Sequence, residues 1–517
     1  MDFCMKTIIF DNWRLAIRTM IALAIAIYPI LFSVWSYHIY GHADIGNIIP
    51  VKSDEIDYWL QCRSFHKAGF HSGYFTLDET TPPLSFSPYG WHGPAFPILV
   101  GTFAKLWGGI TPSAALPFNL AWLTASLVVF LALTRPGLRH LCLLFFFVIG
   151  LARLYWYMPS FFQEPYHCGI AFVLAAFFLH LYASKRRLYW FGITFLALFY
   201  AAYLRVSWAV FFFPLMISVF PASRKGRIFA LAAGFVSLTA VYVLYQYSAA
   251  PYSLGVGRNY ALNFLLGKSS LLQTIHSFFS LTTDQVQDYL SSFYPDEHTE
   301  MLLIILWFFS GSFLLLRKMS ADDISSRHNN DTIHVFWLHI FGVGGLIFLE
   351  IIYYGLESRV LIPHFILSFV VIMHQVKRSY VLTLFGIIQI AIFPIFFQFF
   401  PDRIYPLANN VTERERFVDF GRFIKPLVSY KSNKNKWCNT ILFGRVEWPV
   451  EIMAFEPGLG TSFITLEQKP LGQDVKSRFV FLANDTQASL IKKSNDFQFI
   501  AHTAMGDLYL NNQCQCD

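Results

Sequence analysis

The amino-acid sequence predicts an all-α polytopic membrane protein with a small C-terminal α/β domain outside the membrane. Three observations predict it. Of the 517 residues, 55% are hydrophobic and only 14% charged, against about 25% charged in soluble domains. Apolar runs recur up to residue 400, each near the ~20 residues a helix needs to cross hydrocarbon with every backbone donor and acceptor satisfied internally. The stretch 401–517 returns to a soluble composition, with alternating apolar runs at 440–443 and 478–482 and turn signals at Pro457, Gly458 and Gly460.

Eleven segments qualify as spans: 19–36, 113–133, 141–158, 167–183, 188–203, 206–220, 228–247, 301–316, 333–354, 360–376 and 381–400. Short cytoplasmic loops carry excess Lys and Arg. That marks the loops holding Arg135 and Arg139, Lys185 to Arg187, Arg224 to Arg227, Arg317 and Lys318, and Lys377 and Arg378 as cytoplasmic. The alternation puts the N-terminus in the cytoplasm and the C-terminus outside, in a multi-pass protein of a bacterial inner or plasma membrane. It also makes segment 93–108 begin and end outside, as a re-entrant or interfacial helix, the alternative being a twelfth span. The first span is expected to be retained, because no small-residue cleavage motif follows it. The expected organisation is a transmembrane module over 1–400, with outer loops at 37–113 and 248–300, and an extracytoplasmic domain over 401–517.

The net charge of +7 is spread in short clusters between apolar segments, which argues against a nucleic-acid partner. No fixed-period repeat is present. The seven cysteines show no paired Cys-x-x-Cys spacing. Cys4, Cys142 and Cys168 lie beside or inside apolar segments and read as small apolar residues. Cys62, Cys438, Cys514 and Cys516 fall outside the cytoplasm, where disulfides persist, and their pairing is left open.

Candidate chemistry concentrates in the outer loops. Ser53-Asp54-Glu55-Ile56-Asp57-Tyr58-Trp59 places three acids within four positions. On a helix beginning at Ser53, Asp54 and Asp57 share a face at i, i+3, and Glu55 points elsewhere to cap or brace the first turn. The plain alternative is an exposed acidic helix start capped by Ser53. Farther along, Tyr89-Gly90-Trp91-His92-Gly93-Pro94 leads into segment 93–108, where His92 is either a hydrogen-bonded structural residue or a ligand. The second outer loop sets Glu164 at the membrane boundary beside His167. Ionisable groups near the membrane commonly mark a site. Arg205 and Arg359 lie near the outer ends of spans, against the positive-inside pattern. Arg359 has a local partner in Glu357, and Arg205 can snorkel to the headgroups; alternatively each guanidinium grips a phosphate bidentately.

Taken together, these features resemble the GT-C superfamily of polyprenyl-phosphate-dependent glycosyltransferases, which includes protein O-mannosyltransferases and lipid A aminoarabinose transferases. The resemblance covers residues 1 to about 400. It rests on Asp54-Glu55 followed by Tyr58-Trp59, on His92-Gly93-Pro94, on Glu164, on the span containing Arg205, and on Arg359 followed by Pro363. Gly93 stands where many members have Pro, and Val360 where a Tyr commonly follows the Arg. The resemblance implies that Asp54 is the catalytic base or its metal-holding equivalent, with Glu55 and Glu164 as further catalytic acids. Asp57, His92, His167, Arg205 and Arg359 would contact the substrate or its phosphate. It also implies a lipid-linked sugar donor, a glycan, lipid or protein acceptor at the outer face, and inversion by direct displacement. Oxygen ligands on Asp54 and Glu164 suit Mg²⁺ or Mn²⁺ as an optional ion. A secondary transporter and a non-catalytic envelope-pathway protein are the alternatives, but transporters place ionisable groups near the bilayer midplane, and here the acids lie in outer loops.

Overall fold

The computed structural model describes residues 2–36, 53–77, 79, 81, 86–87, 93–107, 109–111, 114–158, 160–221, 223–248, 267, 269–291, 295–321, 327–348, 358–376, 380–398, 421–444, 456–463, 475–482, 496–503 and 506–516. The helices, in chain order, are α1 (Asp2–Ser36), α2 (Ser53–Ala68), α3 (Ala95–Trp107), α4 (Ala115–Thr134), α5 (Leu138–Ile149), α6 (Ala152–Tyr157), α7 (Glu164–Ala183), α8 (Arg187–Leu204), α9 (Phe212–Ile217), α10 (Arg224–Ser248), α11 (Leu271–Ser291), α12 (Pro295–Ala321), α13 (Arg327–His339), α14 (Ser358–Gln375) and α15 (Tyr380–Gln398).

Among the described residues, seven helices are long and apolar enough to cross a membrane: Leu15–Trp35, Ala115–Thr134, Glu164–Ala183, Arg187–Leu204, Arg224–Tyr245, Thr299–Ser320 and Asp331–Phe348. The chain is an integral membrane protein. Large apolar side chains such as Leu196, Phe235, Phe309, Phe313 and Ile387 stand exposed on the outside of the bundle, where a soluble protein would place charge. Two expected spans are interrupted. The run 141–158 divides at Gly150 and Leu151 into α5 and α6, and 206–220 begins as a 3-10 turn over Val206–Phe211 before α9. α3 has 13 residues and rises only about 20 Å at 1.5 Å per residue, short of the hydrocarbon thickness. It packs on α2.

Two helices form the centre. α7 is buried on nearly every face, and α14 is buried continuously from Leu361 to Met373. A helix apolar all round belongs in the interior. α4 lies against α7 so closely that a Cβ on Gly169 would stand 2.4 Å from Trp122 Nε1 and 2.8 Å from Ser126 Oγ. Small residues permit such crossings where lipid offers no hydrophobic drive between helices. Gly169→Ala should therefore cost about 1–3 kcal/mol by overpacking, seen as a lowered thermal midpoint in detergent. Gly192→Ala, whose added Cβ meets nothing within 4 Å, should not lower it.

The basic loops meet at one end of the bundle. Arg18 donates to the carbonyls of Arg135 and Pro136, Lys318 to that of Gln375, and Arg187 pairs with Asp331 at 3.4 Å.

A six-stranded sheet lies beyond the helices, in the order β1-β3-β2-β4-β6-β5. Its strands are β1 (Thr76–Leu77), β2 (Thr440–Phe443), β3 (Gly460–Phe463), β4 (Phe479–Leu482), β5 (Phe497–Thr503) and β6 (Gly506–Asn511). β1, β3, β2 and β4 run parallel, and β6 and β5 close the sheet antiparallel. Ile441, Phe443, Phe479 and Phe481 face one layer together with Ile424 and Val428, while Leu442, Val480, Leu482 and Tyr509 pack on the other, as the two-residue side-chain period of a strand dictates.

β1 comes from the first outer loop, so that loop supplies the edge strand of the C-terminal sheet. Gly73 makes this possible: its amide donates to Gly458 at 2.9 Å, and a Cβ there would fall 2.0 Å from the Asn439 carbonyl oxygen. Two further ties hold loop and tail together. Ser64 of α2 donates to the Leu459 carbonyl at 2.7 Å and accepts from the Gly458 amide at 3.2 Å. Glu79, in a left-handed conformation at φ 56°, accepts from the Lys476 amide and from the amide and hydroxyl of Ser477. Burial pushes the Glu79 carboxyl above its ordinary pKa, and these hydrogen bonds offset part of that rise.

Candidate functional site

At the end of the bundle away from the basic loops, the sequence places an acid at the start of α7 and a base at the end of α8. Glu164 occupies the first turn of α7, with Pro165 following, where the helix dipole favours negative charge. α8 stops at Arg205, whose extended backbone (φ −148°, ψ 116°) turns the chain into the 3-10 segment. Arg205 Nη2 donates to Glu164 Oε1 at 2.9 Å, with side-chain exposures of 12% and 3%. A buried pair of this kind survives because each charge holds the other. Glu164 Oε2 and Arg205 Nη1 are both buried without a hydrogen-bond partner among the described residues. One acceptor and one donor thus stand available within a single ion pair.

A second guanidinium lies near. Arg359, at the start of α14, sits 5.6 Å from the centre of the Phe162 ring and within electrostatic reach of both Glu164 and Arg205. Arg205 is thus held by Glu164, and Glu357, the local partner considered for Arg359, lies outside the described residues.

The first-loop helix is drawn to the same end. Glu55 and Asp57 are both buried, so the exposed acidic helix start is not what these two side chains form. Glu55 Oε1 accepts from the Phe161 amide at 3.3 Å, which ties α2 to the segment between α6 and α7. Asp57 accepts from Gln61 one helical turn later. Edge-to-face rings run from Tyr58 through Phe96 to Tyr166, and Tyr58 lies within electrostatic reach of Arg205. Asp54 is the second residue of α2, but its side chain lies outside the described residues, as does the whole of His92.

His167 is fully buried and committed at both nitrogens. The Trp208 indole N–H donates to Nδ1 at 3.1 Å, which leaves the proton on Nε2, 3.3 Å from Gln163 Oε1. The ring is therefore neutral and holds Trp208 and Gln163 beside Glu164. His364 also has a partner at each nitrogen, with Nδ1 3.0 Å from the Val360 carbonyl, Nε2 3.4 Å from the Ser207 hydroxyl, and its ring 4.3 Å from that of Trp208.

Sequence reasoning missed Trp208, His364, Tyr245 and Glu300. Tyr245 accepts from the Gly93 amide at 3.1 Å and lies within reach of Arg205. Glu300 acts on Cys168 from the same neighbourhood as Glu164 and Arg205. As an acid at the start of an apolar run, it carries the same signal that singled out Glu164. Trp208, Tyr245 and His364 are embedded in apolar runs and carry none.

No protein-family model matches the sequence, and no curated protein matches it. Among solved structures, the chain is similar to the crystal structure of the Archaeoglobus fulgidus oligosaccharyltransferase in complex with zinc and sulfate. The TM-score is 0.47 at 10% sequence identity, over 96% of this chain and 73% of that one.

Proposed function

We propose that this chain is a membrane glycosyltransferase of GT-C type that moves a sugar from a polyprenyl-phosphate carrier to an acceptor at the outer face. The observation that carries the reading is the buried Glu164–Arg205 pair, with an unused donor on one partner and an unused acceptor on the other, flanked by Arg359. A phosphate leaving group needs fixed positive charge where its own charge develops, and two guanidiniums at one depth supply it. An acceptor hydroxyl or amine needs a base within hydrogen-bond reach. Asp54, on the helix that Glu55 locks against the second outer loop, takes that role.

In the step proposed, the acceptor oxygen or nitrogen attacks the anomeric carbon and the bond from that carbon to the phosphate oxygen breaks. The acceptor proton passes to the Asp54 carboxylate, and polyprenyl phosphate leaves with the bonding pair toward Arg205 and Arg359. Attack opposite the leaving group inverts the anomeric centre. The unpartnered Glu164 Oε2 fits a hard divalent cation, Mg²⁺ or Mn²⁺, which Glu164 and Asp54 would hold. When bound, such an ion adds positive charge against the departing phosphate.

The test is transfer of labelled sugar from a panel of polyprenyl-phosphate sugars by the purified protein in lipid nanodiscs. Asp54→Asn should lower turnover by about 10²-fold or more while the variant remains monodisperse. Turnover near that of the wild type would remove Asp54 from the mechanism.

A further inference from the structure

The tail holds a sulfur cluster that the proposed transfer does not use. Cys438 and Cys516 are joined as a disulfide spanning 78 residues of sequence, and the Cys514 thiol stands 3.6 Å from Cys516 Sγ and 3.9 Å from Cys438 Sγ. Among the described residues these three sulfurs form a group lying within 4.8 Å of one another. Cys438 sits in the 3-10 turn Lys436–Asn439 that leads into β2, and Cys514-Gln515-Cys516 follows β6. Asn435 fixes the intervening backbone by donating to the Gln515 carbonyl at 3.0 Å.

From this geometry we infer that Cys438, Cys514 and Cys516 form a redox-gated site for a thiophilic divalent cation of the zinc class. Zinc–thiolate bonds of about 2.3 Å place two thiolates of one tetrahedral ion about 3.8 Å apart. Cys514 already stands at that separation from both of its neighbours, so only the Cys438–Cys516 pair has to open. A third thiol serving thiol–disulfide exchange would attack along the axis of the bond, much nearer one sulfur than the other. Cys514 is almost equidistant, beside the bond.

Three thiolates on a divalent ion carry one net negative charge. Charges of both signs lie nearby: Arg478 and Glu79 act on Cys514 in opposite senses, and Lys476 lies 5.6 Å from the ring of Trp437, the neighbour of Cys438. A dithiol donor opens the site by taking both sulfurs of the Cys438–Cys516 bond to thiols while closing its own disulfide. The three thiols then bind one ion with release of three protons, and water completes the coordination. Lys476 and Ser477 are also the residues that grip Glu79, so the site lies where the first outer loop docks on the sheet.

The experiment titrates Co²⁺, then Zn²⁺ in competition, into the full-length protein in detergent, before and after reduction and removal of the reductant. Reduced wild type should bind one Co²⁺ with near-ultraviolet thiolate-to-cobalt charge-transfer absorption. The oxidised protein and reduced Cys514→Ser should each bind at least about 10-fold more weakly, and Cys142→Ser, altered on α5, should bind as wild type does. Peptide mapping of the Cys438–Cys516 disulfide in oxidised, monodisperse Cys514→Ser shows that this variant folds. Absence of the charge-transfer band in monodisperse reduced wild type, or undiminished affinity in Cys514→Ser, would overturn the site.

Discussion

Replacing Arg205 with Met is expected to destabilise the protein by about 3–5 kcal/mol, the cost of leaving one member of a buried ion pair alone, and to abolish sugar transfer. Glu164→Gln should do the same from the other side, since both side chains are largely out of solvent. Neither single variant distinguishes a strut from a working group. The double variant Glu164→Gln, Arg205→Met does, because it removes both charges at once and leaves neither orphaned. Its thermal midpoint should recover most of the loss, while transfer stays absent for want of the guanidinium that neutralises the leaving phosphate. Recovery of transfer along with stability would reduce the pair to a structural device. Arg205→Lys adds a second axis: it keeps the charge but loses the planar fork, so it should be more stable than Arg205→Met and still poor in transfer.

The same pair shows how far the sequence could be read. Glu164 and Arg205 were visible separately, one as an acid at a membrane boundary and the other as a cation against the positive-inside pattern. Hydrophobic periodicity fixes which end of a span each residue occupies, but not which spans are neighbours. Their separation of 41 positions therefore said nothing of a 2.9 Å contact. Glu55 and Asp57 were legible as candidates by composition, and their burial was not, because burial depends on the second outer loop folding over α2. His167 looks like a potential ligand in a string of letters. Only the partners at both ring nitrogens show it to be neutral and occupied. The spans were readable wherever one helix runs unbroken. Where Gly150 and the turn after Arg205 interrupt the run, the apolar count persisted across a break that backbone geometry imposes.

The least legible element was β1. Two residues in a long loop cannot announce a strand whose partner lies some 386 positions later, and Glu79, which secures it, reads in sequence as one more surface acid. Its removal is the second large effect expected. Glu79→Ala withdraws the acceptor from two backbone amides and a hydroxyl in a region where Ser477 is fully buried. Each orphaned buried group costs about 1–3 kcal/mol, so the first outer loop should detach from the sheet and transfer should fall even though the Glu164–Arg205 pair is untouched. Limited proteolysis within the first outer loop should accelerate in step. Glu79→Gln keeps an acceptor oxygen for the amides and presents its NH₂ to the Ser477 hydroxyl, so it should retain most of the attachment. The two forms also differ in pH dependence. Because burial raises the Glu79 carboxyl in the folded state, folding takes up a proton, and the stabilisation that accompanies the neutral acid is fully present below the unfolded value of 4.5. It is lost as pH rises through the higher folded value. The stability of the wild type relative to Glu79→Gln should therefore decline on going from pH 4 toward neutrality, measured as the difference in thermal midpoint. A difference that stayed constant, or grew, would mean that the hydrogen bonds from Lys476 and Ser477 outweigh burial and hold the carboxylate ionised.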